Sequence, residues 1–155
     1  MDHEIREYLA QLLKGHGAHI DLEAAISAFP TSLSSSRVPG VPHTPWRLLE
    51  HMRIAQSDIL AFCKNPKHVS PEFPDGYWPR EDMLGGKIEW AKTASSFRTD
   101  LKAMQEYVLD LSTDLFVRIP HGDGQTVFRE ALVLADHNSY HLGQLMVMRR
   151  ACESS

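Results

Sequence analysis

The run Trp90-Ala91-Lys92-Thr93-Ala94-Ser95-Ser96-Phe97-Arg98-Thr99-Asp100-Leu101-Lys102-Ala103-Met104-Gln105-Glu106-Tyr107-Val108-Leu109-Asp110-Leu111 decides the fold class. Trp90, Ala94, Phe97, Leu101, Met104, Val108 and Leu111 recur in alternating steps of four and three. Lys92, Ser96, Arg98, Asp100, Lys102, Gln105 and Glu106 fill the positions between them. This is the pattern of a helix that buries one stripe and leaves the rest in water. Gly85-Gly86 marks its expected start, and a turn at Glu81-Asp82 is an alternative beginning.

The pattern repeats on either side. Upstream, Thr44 is a good N-cap, Pro45 suits the first helical position, and Leu48, Met52, Ala55, Ile59 and Phe62 form a second apolar seam that ends at Asn65-Pro66. Downstream, a helix is expected from about Gln125 to Ala151 through Val127, Ala131, Leu134, His141, Leu145 and Met148. At the N-terminus a helix runs from Asp2 to about Lys14 on Ile5, Leu9 and Leu12. It breaks at Gly15-His16-Gly17 and resumes at Asp21, either capping the bundle or continuing the helix past a kink. A short extended piece, Phe116 to Ile119, leads into the turn Pro120-His121-Gly122-Asp123-Gly124. The expectation is an all-α protein, a four-helix bundle with long crossover loops, as a single domain over 1–155.

Two connections are long. Residues 30–43 are rich in Ser, Pro and Gly, and residues 65–80 carry Pro66, Pro71, Pro74 and Pro79. Loops of this length in a small domain are commonly functional or disordered. The aromatics Phe73, Tyr77 and Trp78 argue that the second packs down as a lid.

Composition excludes several functions. The chain has 16 Lys and Arg against 20 Asp and Glu, a formal charge of −4, with no basic stripe for a nucleic acid. No run approaches the roughly 20 apolar residues that span a bilayer. The first residues lack a basic start followed by an apolar run, so a cytoplasmic location is expected. The two cysteines, Cys63 and Cys152, read as free thiols.

His137 and His141 carry the chemistry. Four residues apart on a helix, their rings share one face, with Cβ atoms about 5–6 Å apart. The face is the apolar one, shared with Leu134, Leu145 and Met148. His51 lies one turn after Leu48 and one turn before Ala55, at the edge of the other seam. Three imidazoles from two helices make a divalent-metal site with a position left open, the arrangement of catalytic rather than structural zinc. Imidazole suits zinc, nickel, copper and iron alike. The alternative is a set of hydrogen-bonded core histidines: His51 to Asp58 or to a backbone carbonyl, the other two to carboxylates or tyrosines nearby. His16, His19, His43 and His121 read as loop and turn residues. Asp136 points about 100° away from His137 around the helix. Tyr140 and Gln144 are candidates to orient a ligand, and Trp46, Trp78 and Trp90 read as packing. Asp58, Glu50 and Glu89 are candidate general bases on helix phase alone.

Three segments carry a family resemblance. They are His43-Thr44-Pro45-Trp46-Arg47-Leu48-Leu49-Glu50-His51 with the helix after it, Gly76-Tyr77-Trp78-Pro79, and the stretch from Ile119 to Gln125 that runs on into Asp136-His137-Asn138-Ser139-Tyr140-His141-Leu142-Gly143-Gln144. From about residue 43 onward the chain resembles the DinB/YfiT-like superfamily of four-helix bundles. The resemblance implies a divalent metal on His51, His137 and His141, with zinc or nickel favoured. It also implies a homodimer and a small-molecule substrate. A low-molecular-weight thiol cosubstrate attacking a small electrophile, or hydrolysis by activated water, is the implied reaction; a non-catalytic metal-binding or stress-related bundle is the alternative.

Overall fold

The hydroxyl of Thr44 accepts a hydrogen bond from the Arg47 amide at 3.3 Å, and with Pro45 in the first turn it starts a helix where the sequence predicts one. In the computed structural model, which describes residues 1–154, five α-helices follow in order. They are α1 (Asp2–Leu13), α2 (Leu22–Ser27), α3 (Pro45–Lys64), α4 (Lys87–Leu109) and α5 (Val127–Glu153). Short 3-10 turns form at Thr31–Leu33 and Asp75–Tyr77. Among the described residues no strand forms; the extended piece near Phe116 makes a single bridge, Arg118 to Thr126.

Helices α1, α3, α4 and α5 make the bundle. The stripe that decides the fold packs as read: Trp90, Ala94, Phe97, Met104 and Val108 are buried, and α4 lies along α3. Leu111 departs from it. α4 ends at Leu109, so Leu111 falls in the following turn and is exposed. The break at Gly15 takes a positive φ of 79°, and α2 is a separate short helix rather than a continuation of α1. Asp21 caps α2 by accepting from the Ala24 amide at 2.7 Å. Leu22, Ala25 and Ile26 then close one end of the bundle over Leu142, Leu145 and Met148.

The core has two apolar halves. One gathers α2 with the first turns of α3, the first half of α4 and the second half of α5; the other gathers α1, the end of α4 and the start of α5. Leu101 packs against both. Between them sit two buried amides. Gln56 donates to the Phe97 carbonyl at 2.7 Å and accepts from Asn138 at 3.1 Å. Such a pair ties α3 to α4 and to α5 at one register, because a slip of either helix would strand buried polar groups.

The long connections are pinned at both ends. Phe29 and Val38 are buried in the core, and the Trp46 amide donates to the Ser34 carbonyl at 2.9 Å. The loop after α3 is held by Thr44, which donates to the Leu84 carbonyl at 2.7 Å, and by Arg47, which donates to the Pro79 carbonyl at 2.9 Å. Gly85 is required where the loop crosses Trp46. Its φ is +74°, and a Cβ there would stand 2.2 Å from the indole. No helix among the described residues is long and apolar enough to cross a membrane.

Candidate metal centre

Helix phase brings the three predicted histidines together. On α3, His51 shares a face with Leu48 and Met52, and burial of those neighbours turns its ring toward α5. On α5, His137 and His141 stand one turn apart, with ring centroids at 4.5 Å. The Nε2 atom of His51 lies 3.1 Å from Nε2 of His141 and 3.1 Å from Nε2 of His137. One nitrogen from each residue falls within 4.8 Å of the others. His51 and His141 are 8% and 9% exposed, so these are interior rings rather than a surface patch.

The hydrogens decide what the cluster can do. His51 Nδ1 lies 2.8 Å from the backbone carbonyl of Tyr77, which only accepts, so Nδ1 carries the proton and Nε2 a lone pair. His141 Nδ1 donates in the same sense to Gln144 Oε1 at 2.7 Å. Two lone pairs therefore face each other at 3.1 Å, an arrangement that is repulsive unless a cation lies between them. His137 adds a third nitrogen at the same distance, while its own Nδ1 is buried without a partner. Metal–nitrogen bonds of about 2.1 Å in a tetrahedral centre place ligand atoms about 3.4 Å apart. The two distances to His51 Nε2 need to lengthen by only a few tenths of an ångström to meet that. The donor set fits a divalent metal and can hold one.

Burial keeps all three rings neutral. Desolvation lowers the His51 pKa to about 4, with the Tyr77 bond opposing it and the neighbouring His141 and His43 adding to it. His137 is likewise pushed down to about 4 by desolvation and then by His141 and His51. The His141 pKa is also lowered by burial, against the bond to Gln144. Neutral imidazole is the form that donates to a metal.

The loop that leads into α4 completes one wall, as its aromatics predict. Trp78 lies flat on His51, ring centroids 3.9 Å apart and planes 2° apart, and His43 stacks on Trp78 at 3.9 Å. Tyr77 is tied down by its hydroxyl, which donates to Asp58 at 2.7 Å, and His68 meets the other Asp58 oxygen at 2.6 Å. Phe73 is exposed and meets the Tyr77 ring at a centroid distance of 6.2 Å.

Several single-residue expectations change. His43 is stacked and half-buried rather than a solvated turn residue. Trp78 does pack, but on a candidate ligand. Asp58 does not bond His51; it serves His68 and Tyr77. Glu50 is taken by Arg53 and Thr93, and Glu89 is exposed in the first turn of α4. His16, His19 and His121 are exposed and outside the cluster. The sequence reading did not single out His68; its only signal was a histidine ten residues past a carboxylate on a seam helix.

Against known protein families, curated proteins and solved structures, the chain finds no match.

Proposed function

We propose that the protein is a metal-dependent enzyme of DinB/YfiT-like type, with His51, His137 and His141 holding Zn²⁺ or Ni²⁺. The observation that supports this most is the meeting of three neutral Nε2 atoms whose partner hydrogens on His51 and His141 point away to Tyr77 and Gln144. Carbonyl and amide partners of that kind fix ring orientation and raise ligand basicity. Among the described residues no carboxylate or thiolate joins the trio, so one side stays open. When bound, the ion supplies Lewis acidity that turns water or a thiol into a nucleophile near neutral pH.

The chain's own residues do the positioning. Gln144 and the Tyr77 carbonyl hold two rings in register, and Trp78 keeps water off the outer face of His51. The reaction is attack by an activated thiol or water on a small electrophile. One observation favours a second reading, a binding protein without turnover: the nearby carboxylates Asp58 and Glu50 are already paired, so neither stands ready as a base.

Elemental analysis of untagged protein beside a His137→Ala/His141→Ala variant tests the site. Roughly one zinc or nickel per chain, lost in the variant, is the expected result. Thiol–electrophile and hydrolysis screens on the loaded protein then separate the two readings.

A further inference from the structure

Gly143 stands on the outward face of α5, and nothing inside this chain requires a glycine there. Within a helix, glycine destabilises relative to alanine. Its φ is not positive, and a Cβ at 143 would meet nothing within 4 Å. Cavities of about 570 and about 480 Å³ flank it. The first lies beside His141, between Val41, Pro42, Tyr140 and Val147; the second lies between Ile20, Ser139 and Met146. Gly143 lines both, so it is the low point of a strip along α5 into which another helix can settle.

The charges along this strip form a second observation. Within about 60° of Gly143 around the helix lie Asp136, Ser139, Tyr140, Met146, Val147 and Arg150. Tyr140 and Val147 are 65% and 63% exposed, apolar surface left in water. Asp136 and Arg150 stand two turns before and two turns after the glycine, both exposed. Among the described residues neither side chain has a hydrogen bond or ion pair, and Glu153 is taken by Arg149. That spacing is self-complementary. Where a second α5 crosses antiparallel at Gly143, residues equidistant from the crossing meet, so Asp136 faces the partner's Arg150 and Arg150 faces the partner's Asp136. A crossing one turn earlier brings Arg150 toward the partner's Arg129, and one turn later it carries Asp136 past the end of the partner's α5. Two-fold symmetry also sets Tyr140 on the partner's Val147, on the side of the cavity beside His141. Exposed ion pairs add little affinity but fix register, and the apolar contacts supply the rest.

We propose that two copies of the chain associate through α5, crossing antiparallel at Gly143, with Asp136 of each binding Arg150 of the other and Tyr140 of each closing the cavity beside the other's His141. The glycine lets the two backbones approach, where a side chain at the crossing would hold them apart. Each cavity lacks a wall until the second copy supplies it. Association itself needs no metal; only the use of the closed cavity as a reaction site rests on the proposed function.

Sedimentation velocity on the full chain, from about 1 to about 100 μM, should show a dimer. Asp136→Arg and Arg150→Asp each set like charges against each other at both symmetric contacts, and each should raise the dissociation constant about tenfold or more. The two single variants mixed in equal amounts should associate again, to within about threefold of the wild type, because the mixture restores opposite charges across the crossing. The double variant Asp136→Arg/Arg150→Asp should do the same. Both positions are exposed, so circular dichroism should show the helices of every variant intact. A chain that stays monomeric at about 100 μM overturns the proposal, as do reversals without effect or reversals that the mixture does not rescue. Association unchanged by Tyr140→Ala overturns the closure of the cavity. His137→Ala separates this proposal from the metal centre: His137 lies about 120° from Gly143 around α5, so the variant should dimerise as the wild type does. A dimer that holds no metal keeps the interface and removes the metal centre, and a monomer that holds metal does the reverse.

Discussion

The ring of His51 donates to the backbone carbonyl of Tyr77 at 2.8 Å, so a loop residue sets the tautomer of a helix residue 26 positions earlier. Tyr77 is in turn tied by its hydroxyl to Asp58, two turns beyond His51 on α3. The helix thus holds the loop that orients its own candidate ligand.

Removing that tie should weaken the metal site without unfolding the bundle. Asp58→Ala releases both the Tyr77 hydroxyl and His68. Loss of an outer partner to a ligating histidine costs about 10–100-fold in affinity. Competition with a chromophoric chelator should show a loss of about tenfold for Asp58→Ala and a smaller one for Tyr77→Phe, which leaves the pairing of His68 with Asp58 in place. Unchanged affinity in both would mean that the loop does not orient His51.

The metal-free protein should lose stability as pH falls. The His51 and His137 pKa values are held at about 4, below the ordinary 6.5. Between those limits the unfolded chain binds more protons than the native one, so stability declines as pH drops through the window from about 6.5 to 4. Urea midpoints across that range should fall for the wild type and fall less steeply for His137→Ala, which has one group fewer to charge.

Gly85→Ala should be disproportionately harmful for so small a change. The new methyl meets the Trp46 ring at 2.2 Å on a backbone with φ of +74°. Trp46 also donates to Thr93 at 3.0 Å, joining α3 to α4. A loss of more than about 1 kcal/mol in urea unfolding is expected.

Cys63 should resist thiol reagents in the folded state. Burial, then the charge of Glu130, pushes its thiol up to about 12, so almost no thiolate exists at pH 8. An aromatic disulfide reagent should titrate the half-buried Cys152 and reach Cys63 only after denaturant is added.

The helices were legible because each rests on a local period. A stripe every three or four residues needs only its own partner surface, so Trp90, Phe97 and Met104 announced α4 and its buried side. The end of that helix was less legible: Leu111 continues the spacing, but α4 stops at Leu109. The pairing of His137 with His141 is fixed by helix pitch, and their apolar face marked them as interior rings.

Long-range features follow different physics. That His51 meets α5 at His137 and His141 depends on the register between α3 and α5, which is set where Gln56 meets Asn138 and where Met52 and Leu145 share a core. The Tyr77 carbonyl and the Trp78 face come from a loop whose path is pinned by Asp58, Arg47 and Gly85. No spacing in the chain encodes these contacts, because backbone carbonyls carry no residue identity and a loop's course is the sum of distant anchors. The period of the chain thus specified helices and candidate ligands, while packing between elements three-dimensionally joined them into one centre beside one cavity.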